Sequence, residues 1–197
     1  MKKERTQLLL CLVLAFLCII PTTGAGCTKC EGYKQLSVEE GIAHFSFEYP
    51  CNWEIGIVDT SEDYTDVSVT GAHIRTRGAH LPSSTWILFV DWPDGDIPSA
   101  AAAMEDSLSF WETQDAFELL ERSVVEIAGV RAELVVFLDE ISRDWVRVPE
   151  PVPSISRELY FDCGGLIWNI YCSSILDAAE ADNVHFEHLL ETFRILD

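Results

Sequence analysis

Aromatic residues occupy every second position of the stretch Phe45–Tyr49, near the start of the folded part of the chain. This alternation of apolar and polar positions has the period of a half-buried β-strand. Pro50 has no backbone N–H, so the pairing of this strand is predicted to end there. Trp53 follows in the predicted turn, where its ring can cover an open edge of the core.

Further apolar segments predict a sheet. Strands are predicted at Glu54–Val58 and Asp66–Thr70, and the nearly continuous apolar run Ser84–Trp92 predicts a central strand that is covered on both faces. Two longer regions each contain two apolar segments that meet at a turn, Ala128-Gly129 in the first and Gly164-Gly165 in the second. Each of these regions predicts a β-hairpin.

Two segments have helical periodicity instead. The first enters a helix near Pro98, a residue suited to a first helical turn, and its buried stripe consists of Met104, Leu108 and Trp111. The second closes the chain over residues 183–196, and its stripe consists of Phe186, Leu189, Leu190 and Phe193. The order of strands, helix, strands and helix predicts an α+β fold with a mostly antiparallel sheet flanked by helices.

The first 26 residues have the pattern of a secretory signal peptide. A basic start with Lys2 and Lys3 precedes the uncharged run Leu8–Ile20, and small residues follow. The run of 13 residues gives a helix of roughly 20 Å, which is shorter than the ~30 Å hydrocarbon core of a bilayer. A retained membrane span is the alternative.

The segment Gly24–Cys27 resembles a bacterial lipobox, in which the signal is cut before a cysteine that carries diacylglycerol. Gly24 departs from the usual leucine-like residue, and ordinary cleavage near Ala25 is the alternative. Both place the domain outside the cytoplasm. The expected organisation is a signal peptide (1–26), a lipid-anchor tether that begins with a lipidated Cys27 (27–35) and one domain (36–197).

The charge balance limits the class of partner. The full chain has a net charge of −20, and removal of residues 1–26 leaves 10 basic and 32 acidic residues, a net charge of −22. Phosphate backbones repel such a protein, so nucleic-acid binding is disfavoured. An anionic membrane surface repels it as well, so a lipid anchor is needed to hold it at a bilayer. Cationic partners are compatible with this charge, and solubility alone also explains it.

Cleavage leaves five cysteines: Cys27, Cys30, Cys51, Cys163 and Cys172. With Cys27 lipidated, four remain in an oxidising compartment, and they allow three connectivities. Two disulfides, or one disulfide with two free thiols, both agree with this number. A redox role for the C-x-x-C of Cys27 and Cys30 is disfavoured, since neither a strand nor a helix flanks it.

Three stretches together resemble the PsbP-like (Mog1/PsbP) fold family: "FSFEYPCNWE", "VVEIAGVRAEL" and "WNIYCSS…FEHLLETFRI". The resemblance covers Leu36–Leu196 and implies a fold that opens with an aromatic strand and closes with a helix and a phenylalanine-containing strand. Members are mostly non-enzymatic and include photosystem II accessory proteins, a Ran-binding protein and envelope lipoproteins. No site residue carries over. Cys51 stands where members more often have a small polar residue, which hints at a local disulfide.

Two motifs offer metal-ligating side chains. Asp91, Asp94 and Asp96 suit calcium, but they lack the EF-hand spacing, and a strand-to-helix turn is the alternative. His185 and His188 lie three residues apart on the closing helix, a spacing that a metal site can use. Their alternative role is to flank the packing stripe at the surface.

Arg143, Trp145 and Arg147 form the strongest interaction candidate. They cluster in the irregular, proline-rich segment Glu140–Pro153 of a chain that has few basic residues. Tryptophan and arginine are favoured interface anchors, and binding residues concentrate on loops. The alternative is that Trp145 folds back onto the sheet and the arginines pair with nearby acids.

The sequence contains no G-x-S-x-G, no H-E-x-x-H and no glycine-rich phosphate loop. We therefore expect an extracytoplasmic, membrane-anchored lipoprotein that acts without a cofactor as a binding or accessory protein for a membrane complex. A small-ligand or divalent-cation-binding envelope protein is a second hypothesis. A hydrolase with an unrecognised site is a third.

Overall fold

The computed structural model describes residues 30–76, 79–141 and 150–196. Twelve strands and two α-helices form in this part of the chain. The first seven strands are β1 (Tyr33–Val38), β2 (Phe45–Pro50), β3 (Glu54–Thr60), β4 (Tyr64–Thr70), β5 (His73–Thr76), β6 (Ala79–Pro82) and β7 (Ser84–Asp91). The rest are α1 (Ala100–Trp111), β8 (Glu118–Ile127), β9 (Val130–Ile141), β10 (Val152–Cys163), β11 (Leu166–Ile175), α2 (Ala179–Thr192) and β12 (Arg194–Ile195), with a 3-10 turn at Leu176–Ala178 before α2.

The main sheet has seven strands in the order β3-β4-β7-β11-β10-β9-β8, and every pair is antiparallel. Strands β1, β2 and β12 form a smaller antiparallel sheet, and β5 pairs with β6. The predicted α+β fold with a mostly antiparallel sheet and flanking helices is therefore confirmed. No helix among the described residues is long and apolar enough to cross a membrane.

Two faces of the main sheet carry separate cores. We call the face that packs against β2 and α2 the inner face. Its centre is an aromatic cluster in which the Phe45 ring lies 5.8 Å from Trp168 and 5.9 Å from Phe193, all fully buried. The outer face packs against α1 through Met104 and Leu108, which contact Phe137 among others.

Both predicted hairpins form with two-residue turns. Ala128 and Gly129 join β8 to β9, and Gly164 and Gly165 join β10 to β11. All four residues have positive φ angles between 50° and 81°, the conformation that tight hairpin turns need and that glycine adopts at little cost.

The chain turns after β2 as predicted, but β2 itself is more buried than predicted. Strand β2 ends at Pro50, and Trp53 is buried with its ring 4.7 Å from that of Trp86. However, β2 is buried almost throughout, including Ser46. The reason is its place in the middle of the smaller sheet, where Ser46 pairs with both β1 and β12.

The prediction that Ser84–Trp92 is covered on both faces is wrong. The inner-face residues of β7, such as Leu88, are buried, but Phe89 on the outer face is 37% exposed and Trp92 lies beyond the strand. The cause is the position of α1, which packs mainly over β9, β10 and β11 and leaves β7 partly open.

Three predicted boundaries also differ. The closing helix begins earlier, at Ala179, and ends at Thr192, because Arg194 and Ile195 pair with β2. The irregular segment is shorter than Glu140–Pro153, since β9 and β10 pair as far as Ile141 and Val152. Pro153 is tolerated because pairing with β11 begins only at Ser154, which leaves one side of Pro153 open. Strand β1 begins at Tyr33, within the expected tether.

Candidate functional site

The cysteines form one disulfide, between Cys30 and Cys51, and Cys163 and Cys172 are free thiols. Register explains why the last two do not pair. Cys172 on β11 lies opposite Arg157 on β10, six residues from Cys163, which is about 20 Å along a strand. A disulfide spans less than about 7 Å between Cα atoms. The alternative with two disulfides is therefore wrong, and the hint of a local bond at Cys51 is confirmed.

The two histidines of α2 hold the N-terminal strand in place. The Tyr33 hydroxyl lies 3.0 Å from His185 Nδ1, and the Tyr33 ring stacks on His188 at 3.6 Å. His188 Nε2 lies 2.8 Å from a carboxylate oxygen of Glu48 on β2. Burial lowers the pKa of His185, which favours its neutral form. These contacts give both histidines a structural role, and no group of three or more metal-ligating side chains occurs among the described residues.

Helix α1 crosses the outer face without covering it, which leaves two clefts. The first lies beside the middle of α1 and has a volume of about 260 Å³. We call it the acidic cleft, and its lining includes Phe89, Asp91, Trp92, Asp94, Asp106 and Asn169. The second lies beyond the C-terminal end of α1 and has a volume of about 240 Å³. We call it the apolar cleft, and its lining includes Leu81, Ile87, Trp111, Asp139, Ile141 and Tyr171.

The aspartates of the strand-to-helix turn organise one wall of the acidic cleft. One oxygen of Asp94 accepts the backbone N–H groups of Asp96 and Ile97 at 2.8 and 2.7 Å. These bonds lower the pKa of Asp94, so its charge persists at neutral pH. Asp91 accepts the N–H of Trp92 at 2.7 Å. Asp94 and Asp91 thus shape the turn, and they leave a negative rim at the cleft.

Aromatic side chains line the acidic cleft next to these aspartates. Trp92 is 53% exposed, yet its indole N–H donates to the carbonyl of Glu62 at 3.3 Å, which orients the ring. Phe89 stacks on Tyr64 with ring centres 6.1 Å apart. The cleft therefore offers oriented aromatic rings beside Asp91, Asp94 and Asp106, and aromatic faces attract cations.

The floor of the acidic cleft includes a polar network and one free amide group. Glu158 is buried and accepts hydrogen bonds from Ser107, Trp111 and Tyr160 at 2.7 to 2.9 Å. Beside Tyr160 in the sheet stands Asn169, whose side-chain nitrogen is buried without a hydrogen-bond partner among the described residues. Its missing partner is a cost of burial at this point of the sheet.

The apolar cleft ends at a second buried network. Asp139 is 6% exposed and accepts hydrogen bonds from Ser154 and, at 3.0 Å, from Ser156. The Ser156 hydroxyl also lies 3.1 Å from the Tyr171 hydroxyl. Burial raises the pKa of Asp139 and that of Tyr171.

A third opening of about 360 Å³ lies between the β8–β9 turn and the end of α2. Its cation, Arg194, already donates to the carbonyls of Glu191 and Phe193 at 2.7 Å. The guanidinium of Arg194 is therefore already engaged, and Glu126 and Glu191 line the same opening.

Several predicted site residues lie outside the described part of the chain: Cys27, Arg143, Trp145 and Arg147. Of the calcium candidates, Asp91 and Asp94 line the acidic cleft, and Asp96 is absent from its lining. Sequence reasoning missed both clefts and their networks. A usable signal was present in β10, where the polar residues Ser154, Ser156 and Glu158 alternate with Ile155 and Leu159, which marks a polar sheet face.

Comparison with known proteins finds no matching family model and no matching curated protein. Solved structures do match. LpqN, described as involved in cell envelope biogenesis of Mycobacterium tuberculosis, is 13% identical with a TM-score of 0.52 over 85% of this chain and 93% of its own. Cyanobacterial PsbP from Synechocystis sp. PCC 6803 is 13% identical with a TM-score of 0.51 over 90% of this chain and 100% of its own.

The Ran-binding protein Mog1p of Saccharomyces cerevisiae is 11% identical, with a TM-score of 0.50 over 85% of this chain and 97% of its own. Together these matches show that the chain has the Mog1/PsbP fold. The resemblance that the aromatic strand, the hairpin and the closing helix predicted is confirmed at the level of the fold.

Proposed function

We propose that this protein is an extracytoplasmic accessory protein, anchored by lipid on Cys27, that captures a basic segment of a partner protein in the acidic cleft. The observation that carries the proposal is the cleft itself. Three aspartates and the half-exposed Trp92 surround a cavity of about 260 Å³. A lysine or arginine side chain matches this combination, because it carries a charge on an apolar stem.

Electrostatic attraction favours a basic partner segment both inside the acidic cleft and at long range. Near the cleft, a cation between the aspartates and the Trp92 ring gains charge attraction and a cation–π contact of about 0.5–2 kcal/mol. Far from the cleft, the net charge of −22 on residues 27–197 (10 basic and 32 acidic side chains) attracts basic surfaces and speeds their association.

Two of the matching structures each support one part of the proposal, LpqN the envelope location and Mog1p the binding of a partner protein. LpqN is described as involved in cell envelope biogenesis, and Mog1p is described as Ran-binding. The signal peptide and Cys27 support an envelope location for this chain. We propose binding rather than catalysis, because His185 and His188 hold β1 to α2 and the buried carboxylates of Glu158 and Asp139 are engaged by hydroxyl or indole donors.

The partner can be found by crosslinking the tagged protein in its native membranes, purifying it and identifying the crosslinked proteins by mass spectrometry. We expect one stoichiometric membrane complex. The double variant Trp92→Ala/Asp106→Asn should recover at least fivefold less of it, because it removes the exposed ring and one rim charge. Capture should also weaken as salt rises, since the attraction is partly between exposed charges.

The matched control is Asp115→Asn, which removes the same charge from an exposed position outside the acidic cleft. It should capture the partner as the unmodified protein does, and all variants should unfold within about 2 °C of it. Equal capture by the double variant would remove the acidic cleft from the proposal.

The segment that contains Arg143, Trp145 and Arg147 lies outside the described residues, and we propose it as a second contact region from its residue types. Replacing all three with alanine should weaken capture while leaving thermal unfolding unchanged. Capture lost only in this triple variant assigns the partner to this segment. Capture lost only in Trp92→Ala/Asp106→Asn assigns the partner to the acidic cleft.

A further inference from the structure

The apolar cleft has the size of a small organic molecule. Its volume of about 240 Å³ equals about eight water molecules at about 30 Å³ each. Ile87 and Ile141 contribute aliphatic surface and Trp111 contributes an aromatic edge. Apolar walls with a few convergent polar groups are typical of small-molecule sites.

The polar end of the apolar cleft presents hydrogen-bond acceptors. Ser154 and Ser156 both donate to Asp139. The single proton of Ser156 is used in that bond, so Tyr171 must donate to Ser156. The chain of protons therefore runs from Tyr171 through Ser156 to Asp139. A carboxylate oxygen can accept two hydrogen bonds, so Asp139 has acceptor capacity left for a ligand that donates.

Among the described residues, the carboxylate of Asp139 has no counterion. Its neighbours Glu140 and Glu158 are also acidic and add to the negative potential, and burial is the larger cause of the raised pKa of Asp139. A positively charged group bound there would relieve the cost of the buried charge.

We infer that the apolar cleft binds a small primary amine, with its ammonium group on Asp139 and its apolar body between Ile87, Trp111 and Ile141. An ammonium donates three hydrogen bonds and accepts none, which matches the acceptors at the polar end. An aryl or alkyl amine of roughly eight to ten non-hydrogen atoms matches the volume. This site is separate from the acidic cleft and does not depend on the proposed partner.

Isothermal titration calorimetry of the purified full-length protein tests the inference with three probes of similar shape. We expect 2-phenylethylamine to bind at least tenfold more tightly than 2-phenylethanol, and 3-phenylpropanoate not to bind. The ordering follows from the charge of the head group, since the apolar body is nearly the same. No binding of the amine, or equal binding of all three probes, would overturn the inference.

Two variants locate the site. Asp139→Asn keeps the shape of the side chain and should lower amine affinity at least tenfold while changing alcohol affinity less than about twofold. Ile87→Trp fills the cleft from its wall and should abolish binding of both. The control Asp115→Asn removes the same charge from an exposed position outside both clefts and should leave amine binding unchanged. If Asp139→Asn does not fold, Ile87→Trp alone decides, and undiminished amine binding in either variant refutes the site.

Discussion

At the scale of single residues, the same side chain has different roles in different surroundings. Asp94 lies in an exposed turn, where two backbone N–H groups lower its pKa. Asp66, Asp139 and Asp182 are partly or fully buried, and burial raises the pKa of each. The charged form of these three acids therefore costs stability at neutral pH, while that of Asp94 is stabilised.

Asp66 gives a test of this cost. One of its oxygens is buried without a hydrogen-bond partner among the described residues, and Asp59 adds to the raised pKa. We expect Asp66→Asn to raise the free energy of unfolding at pH 8 by a few tenths of a kcal/mol, up to about 1 kcal/mol, because solvent screens this partly exposed carboxylate. The measurement is urea unfolding between pH 8 and pH 4, with the exposed Asp63→Asn as control.

The sign of the pH dependence follows from linkage. Because its folded-state pKa is raised, Asp66 binds its proton more tightly in the folded state, and the unmodified protein gains stability as pH falls through that pKa. The advantage of Asp66→Asn should therefore be full at pH 8 and shrink toward the ordinary aspartate pKa of about 4. A constant advantage down to pH 4, or none at pH 8, would contradict this account.

At the scale of elements, one covalent bond holds β1 to the corner of β2. The bond joins Cys30 to Cys51 across a sequence separation of 21 residues. The backbone N–H of Cys51 also donates to the carbonyl of Gly32 at 3.0 Å, and Tyr33 packs on α2. Strand β1 is short and lies at the edge of the smaller sheet, where it hydrogen-bonds to a neighbouring strand on one side only. The disulfide and the side-chain contacts therefore add to the stability of its attachment.

Removal of this disulfide should destabilise the whole domain. Closing a loop of this length contributes about 3 kcal/mol by restricting the unfolded chain. For a domain of this size, Cys30→Ser/Cys51→Ser should therefore melt roughly 6–12 °C lower, as measured by calorimetry. The control is Cys163→Ser, a free thiol at a hairpin end, which should cost about 1 kcal/mol or less. Equal melting of both variants would show that the bond contributes nothing.

Elements with strong local signals were predicted best. Strand β2, the two hairpins and the buried stripe of α1 depend on alternation, turn glycines and helical period, all of which act within a few residues. Strands β1, β5 and β6 were missed, and β12 was implied by the family resemblance while the residue pattern extended the closing helix to residue 196. These strands are short, and contacts with residues far along the chain hold several of them: Tyr33 stacks on His188, Leu81 packs with Val152, and Arg194 pairs with Ser46.

At the scale of the whole molecule, the predicted anchor and the negative charge act against each other. The acidic surface is repelled by an anionic bilayer, so the lipid predicted on Cys27 must hold the domain there. Three residue steps separate Cys27 from Cys30, a reach of at most about 11 Å. Since Cys30 is bonded to Cys51, we expect the corner at Cys51–Trp53 to stay close to the membrane.

Cys27→Ser tests the anchor. We expect this variant to move from the membrane fraction to the soluble fraction of fractionated cells, because it removes the thiol that carries the lipid. Both fractions are measured by immunoblotting, and the size of the band reports cleavage. A protein that stays in the membrane at full length would instead support an uncleaved span.

The sequence by itself determined the fold class, the first corner, both hairpins and the two helices, because periodicity and turn chemistry are local properties. It also determined the charge and the number of cysteines. Only the tertiary structure decided that Cys30 bonds Cys51, that His185 and His188 hold β1, and that two clefts flank α1. Those features depend on strand register and on where a helix lies over a sheet. Both follow from contacts between residues far apart in the chain, which no local pattern records.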